Sequence, residues 1–161
     1  MINILDINDA QLMVATASGV ERSCGMAYWD GRQYHFGHSA VLELRRKPLE
    51  TKSDFWTSLN TQPLSPEFGN ARHSADLVYS HLKELFGACD NLDDLVIVTP
   101  ANVGDDQLSL LLGILQSLSI NISGVIDRSL IATHSGDGHS VHIETQWRQL
   151  LITEVIESEG E

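Results

Sequence analysis

The chain has 161 residues, 42% of them hydrophobic, which suits one ordinary soluble domain with a real core and argues against disorder. Its formal charge of −12 argues against a phosphate-backbone partner, because nucleic-acid binding draws on Lys and Arg displacing counterions. No apolar run approaches the roughly 20 residues that cross a bilayer, and the N-terminus lacks the basic and apolar pattern of a secretory signal, so the expected compartment is the cytoplasm, away from any membrane.

In chain order, Ile2–Ile7 and Leu12–Ala17 are short apolar segments flanking Asn8-Asp9-Ala10-Gln11, the pattern of a β-hairpin with a polar turn. A third strand is predicted over Gln33–Phe36, after the turn signal Asp30-Gly31. The stretch from about 47 to 71 contains Pro48, Pro63, Pro66 and Gly69 and loses periodicity, so it reads as a long surface excursion. Ser74–Phe86 carries Val78, Leu82, Leu85 and Phe86 at helical spacing. Leu95–Val98 is a continuous apolar run suited to a strand covered on both faces. Asp105 suits an N-cap, and Leu108, Leu111, Leu112, Leu115 and Leu118 form the apolar stripe of the helix after it. Ile122–Ile126 reads as another buried strand, Ser129–Thr133 as a helical turn, and Val141–Ile143 with Leu150–Ile156 as a second hairpin. An acidic tail, from about 154 to 161, closes the chain.

Cys24 and Cys89 lie far apart with no partner motif and read as buried thiols. The loop holding His134, Asp137, His139 and His142 fits no zinc spacing, and its Gly136 and Gly138 mark an exposed turn. Trp29 and Trp56 sit beside turn signals, as half-buried hydrophobes commonly do. There is no P-loop motif and no Gly-x-Ser-x-Gly elbow.

Three antiparallel strands leading into βα alternation predict an α/β domain with a ribonuclease-H-like mixed sheet, helices on its faces and a C-terminal β-hairpin. Several segments carry a more specific resemblance. Ile4-Leu5-Asp6-Ile7-Asn8-Asp9-Ala10-Gln11 is similar to a first phosphate loop, and Phe36-Gly37-His38-Ser39-Ala40 to a Gly-x-x-Ala segment. Val96-Ile97-Val98-Thr99-Pro100-Ala101 with Asp106-Gln107, then Gly124-Val125-Ile126-Asp127, then Val141-His142-Ile143-Glu144 with Leu150-Leu151-Ile152-Thr153 follow in order. Together they resemble the N-terminal lobe of the actin-like ATPase superfamily, closest in pattern to DnaK-type heat-shock chaperones, over nearly the whole chain.

That resemblance implies a nucleotide-binding switch, once complete, using ATP and Mg²⁺. Asp6 and Glu144 would face the metal, the turn Asn8, Asp9, Ala10 and Gln11 would cradle phosphate, and Asp127 would place the attacking water. Asp6, Asp9 and Gln11 also suit turn roles, and Asp127 suits a helix N-cap.

The sequence departs from the family at telling points. Asn8 replaces a glycine, Val41 a lysine, and Arg128 a glutamate, while Gln146-Trp147-Arg148 replaces a glycine turn. With these phosphate loops degenerate and no second lobe in the sequence, Mg·ATP is expected to bind this chain weakly or not at all. The alternative is a non-catalytic interaction or scaffold domain, whose partner is a protein or the missing second lobe. A third, less favoured reading is a ribonuclease-H-type nuclease built on Asp6, Asp93 or Asp94, and Asp127.

Overall fold

The computed structural model describes residues 2–90, 92, 94–133 and 138–156. Its centre is a five-stranded mixed sheet in the order β3 (Val20–Ser23), β2 (Leu12–Ala15), β1 (Asn3–Asp6), β7 (Leu95–Thr99), β8 (Ile122–Asp127). Strands β1, β2 and β3 form an antiparallel meander. Strands β7 and β8 extend it in parallel, with Asp6 opposite Val98 and Thr99 opposite Asp127. Helices α2 (Ser74–Gly87) and α3 (Asp105–Ser117) connect these strands, as parallel pairing requires of its crossovers.

The predicted third strand belongs elsewhere. Tyr34–Phe36 (β5) pairs with Ala27–Trp29 (β4), which also pairs with Thr51–Lys52 (β6), in a separate small sheet in the order β5-β4-β6. The third strand of the meander is Val20–Ser23, reached from β2 by a tight turn in which the Thr16 N–H donates to the Gly19 carbonyl. A short helix, α1 (His38–Glu43), follows β5. The predicted cap of α3 shifts by one residue: Gly104 is the N-cap and Asp105 opens the helix.

The 47–71 stretch is more than a surface excursion. Phe55, Trp56, Leu59 and Phe68 are buried in the main core with Leu5, Leu12, Leu82 and Ile97. On α3 the buried positions are Leu111, Ile114 and Leu115, while Leu112 is only partly covered.

His81 of α2 joins these parts. Its ring stacks on Phe36 at 4.8 Å, its Nδ1 accepts from the Trp56 indole N–H at 3.1 Å, and its Nε2 lies 2.7 Å from Ser23 Oγ. Because Nδ1 accepts, the proton of the neutral ring sits on Nε2 and is donated to the serine. Burial lowers the His81 pKa to about 3. An unfolded histidine titrates near ~6.5, so below that pH the unfolded chain takes up a proton that the native chain refuses. His81 therefore contributes stability that is complete above about pH 6.5 and is lost on acidification toward pH 3, by up to about 1.4 kcal/mol per pH unit. Urea unfolding at about pH 7 and about pH 5 measures this, and His81→Gln should flatten the difference. Equal pH slopes in the two proteins would remove His81 as a neutral buried group.

Strands β9 (His139–Thr145) and β10 (Leu150–Ile156) form a long antiparallel hairpin, in register from Leu150 opposite Thr145 to Ile156 opposite His139. Helix α4 (Arg128–Thr133) precedes it. Among the described residues, no helix is long and apolar enough to cross a membrane.

Candidate functional site

Parallel strands bring their C-terminal ends to one side of a sheet, where α/β proteins usually bind ligands. Here β1 ends at Asp6 and β8 ends at Asp127 on that side. The β1–β2 turn and the β9–β10 turn meet above them, joining residues nearly the whole chain apart: Asn8 Nδ2 donates to the Thr145 carbonyl at 3.1 Å and to Glu144 Oε1 at 3.3 Å. Asp6 and Glu144, the two carboxylates expected to face a metal, are thus in one site.

Arg128 stands between them. Its Nη2 bonds Asp6 Oδ1, its Nε donates to the same oxygen at 3.1 Å, and its Nη1 forms an ion pair with Glu144 Oε1. Nη2 also donates to the Ile7 carbonyl at 2.8 Å. Burial works against the guanidinium charge, but the hydrogen bonds to Asp6 and Glu144 outweigh it and hold the Arg128 pKa above its ordinary value. Glu144 is 6% exposed and also accepts from Gln146 Nε2 at 3.0 Å, so its charge is compensated inside the protein.

The turns expected to cradle phosphate are occupied in the same way. The Ala10 N–H donates to Asn8 Oδ1 at 2.9 Å and the Gln11 N–H to the Asn8 carbonyl at 2.9 Å, a side-chain-stabilised turn that a glycine would not make. In the second turn the Gln146 N–H donates to the Gln149 carbonyl and the Trp147 N–H to Asp9 Oδ1, both at 2.9 Å. Four backbone donors of the kind that would hold phosphate are therefore spent internally. Arg148 turns to Ser53, donating from Nε to Oγ at 3.0 Å.

The residues present do not fit Mg²⁺ with a nucleotide. An arginine lies between the two carboxylates expected to face a metal, and four turn donors are already engaged. Among the described residues, no group of three or more His, Cys, Asp or Glu side chains is placed to hold a metal ion. His134 and Asp137 lie outside the described residues. His139 pairs with Glu154 across the hairpin at 2.6 Å.

Asp127 caps the helix after it, with Oδ1 accepting from the Ser129 N–H at 2.7 Å and from Ser129 Oγ at 2.6 Å. Among the described residues, the carboxylates of the nuclease reading do not converge. Asp94 precedes β7 at the sheet end opposite Asp6 and accepts from Asn121 Nδ2 at 2.7 Å, and Asp93 lies outside the described residues.

Two features of this region escaped sequence reasoning. Arg128 is visible in the sequence only as an odd residue where a carboxylate is expected, and nothing local shows that it reaches Asp6. Asp9 reads as a polar turn residue, and nothing local shows that it is only 3% exposed. Gly25 is the local cause: a Cβ there would lie 2.8 Å from Trp56 Cδ1 and 2.9 Å from the Asp9 carbonyl, so only glycine lets that segment close over the turn. No protein-family model matches the chain, and comparison with curated proteins finds no match.

Proposed function

We propose that this chain is one lobe of an actin-like ATPase fold whose nucleotide site is closed by its own side chains, and that it works as a non-catalytic interaction domain. The fold half of this reading draws on the strand order β3-β2-β1-β7-β8, three antiparallel strands followed by two parallel ones, which is the ribonuclease-H-like arrangement. The functional half draws on one observation above all: the Arg128 guanidinium supplies the positive charge between Asp6 and Glu144. A divalent cation there would have to displace a fixed internal cation and then share its field.

An interaction role also has a surface to use. One face of the β9–β10 hairpin carries Val141, Ile143, Leu150, Ile152 and Ile156, all more than half exposed. Contiguous apolar surface of this kind commonly marks a protein contact. The large hydrophobes Phe55, Trp56, Leu59 and Phe68 of the 47–71 stretch, by contrast, face the core.

Thermal melts of the full chain with and without millimolar Mg·ATP test the reading. A ligand at about 100 times its Kd would add ~2.7 kcal/mol, which raises the Tm by several degrees in a domain of this size. The expected result is no resolvable shift. A clear rise in Tm that Asp6→Ala abolishes would restore the nucleotide switch.

A further inference from the structure

The central sheet ends differently on its two sides. At one edge β3 is four residues long and carries Glu21 and Arg22, a short charged strand of the kind that discourages further pairing. At the other edge β8 runs six residues, with no charge before its last position, Asp127, and no proline. Among the described residues no strand pairs with the outer side of β8, and the backbone of residues 122–125 makes no other hydrogen bond there. The register slips once, at Ser123, where β8 has one residue more than β7. Residues 124–127 then pair in step with residues 96–99, so the edge is regular over that length.

Helix α3 forms a wall beside this edge. Ser109, Leu112, Gly113 and Gln116 recur at the spacing of one helical stripe, and with β8 they line an open groove of about 690 Å³. A Cβ on Gly113 or on Gly124 would meet nothing within 4 Å, so there is room over both. Val125 and Ile126 are 38% and 40% exposed.

No charged side chain lines the groove, but both of its ends are acidic. Asp105 lies one turn before Ser109 on the same stripe of α3 and is exposed. At the end where β8 begins, Asn121 Nδ2 donates to Asp94 Oδ1 at 2.7 Å, and Asp94 is exposed as well.

An unpaired strand edge is satisfied by another strand, because extended backbone presents N–H and C=O groups at matching intervals. Charge decides whose strand it is. A second copy brings the same formal charge of −12 and a groove with the same acidic ends, so edge-to-edge pairing sets like charges together. A segment with basic residues at both ends and small or apolar ones between them meets a carboxylate at each end and an uncharged floor.

We propose that the groove between β8 and α3 binds an extended, basic-flanked peptide segment of a partner protein. The segment adds to the edge of β8 as a sixth strand, with alternate side chains under Leu112 and Gly113 and its basic ends at Asp94 and Asp105. The groove shares no residue with the exposed hairpin face or with Asp6, Arg128 and Glu144, so the proposal does not depend on the chain being an actin-like lobe.

The probe is an acetylated, amidated seven-residue peptide with lysine at both ends and valine and threonine alternating between them. At a rise of ~3.3 Å per residue it spans about 23 Å, enough to run the length of β8. Calorimetric titration of the full chain should show saturable binding, and the same peptide with glutamate in place of lysine should not bind. An added strand turns every second N–H toward β8. Of two peptides N-methylated at alternate positions, one in each phase, one should therefore bind as the parent does and the other should weaken by about 10-fold or more. Gly113→Gln places a side chain in the groove at an exposed helical position where replacing glycine favours the helix, so the fold persists while binding falls. Asp94→Asn and Asp105→Asn should each weaken binding by about 2- to 5-fold, and more at low salt. Absence of saturable binding at millimolar parent peptide overturns the proposal. So does equal loss in both N-methylated phases, or binding that Gly113→Gln leaves unchanged, since something other than this edge then holds the peptide. Backbone amide NMR signals of β8 that shift with protein concentration alone would give the edge to a second copy and overturn it too.

Discussion

Replacing Arg128 by methionine should destabilise the protein by about 3–5 kcal/mol, the cost of breaking a buried ion pair by removing one partner. Methionine keeps most of the side-chain volume, so the loss is electrostatic. Glu144, at 6% exposure, would lose its cation and keep its desolvation, and Asp6 would face it without the guanidinium between them. Part of Asp6 reaches solvent, which screens its share of the repulsion, so Glu144 accounts for the larger portion. Urea unfolding reads this as a lower midpoint at unchanged slope. Adding Glu144→Gln and Asp6→Asn to Arg128→Met should recover most of the loss, because a whole polar triad removed together leaves no orphaned charge. A single-variant loss below about 1 kcal/mol would show that Arg128 does not hold the site together.

Phe55→Ala should cost about 3–5 kcal/mol, as large-to-small changes at filled core positions do. Phe55 is fully buried, with ring centroids 6.2 Å from Phe36, 6.2 Å from Trp56 and 6.0 Å from His81. It thereby links the small sheet, α2 and the segment that follows β6. Leu49→Ala is the control within the same aperiodic stretch: Leu49 is 95% exposed, so its loss should change stability by no more than about 0.5 kcal/mol. Similar small effects at both positions would return the whole stretch to the surface. A large effect at Phe55 alone would make the segment after β6 a buried part of the fold.

Both experiments probe what could not be read along the chain. The β1–β2 hairpin, α2, β7, α3, β8 and the β9–β10 hairpin were legible, because each announces itself within a few residues. Val78, Leu82 and Leu85 repeat at the helical period, and Leu95–Val98 is a run of branched apolar residues. Strand β3 was not legible. Val20-Glu21-Arg22-Ser23 lies at the sheet edge with three of its four residues exposed, so it carries no hydrophobic alternation. Tyr34–Phe36 looked like a strand and is one, but its partner was invisible, since sheet membership is decided by which distant strand fits its face.

The same division runs through the site. Local sequence placed Asp6, Asp9 and Asp127 at strand ends and turns, where short polar side chains find backbone donors, and Asp127 does cap Ser129. Set against the family it resembles, the sequence also departs at Asn8, Arg128 and the Gln146-Trp147-Arg148 turn. What Arg128 does instead, what buries Asp9, and how Glu144 comes to lie beside Asn8 were settled by folding, because ion pairs and burial depend on residues more than 100 positions apart. Periodicity and turn chemistry are short-range and survive in the string of letters. Charge compensation is a property of space, and only the packed chain assigns each charge its partner.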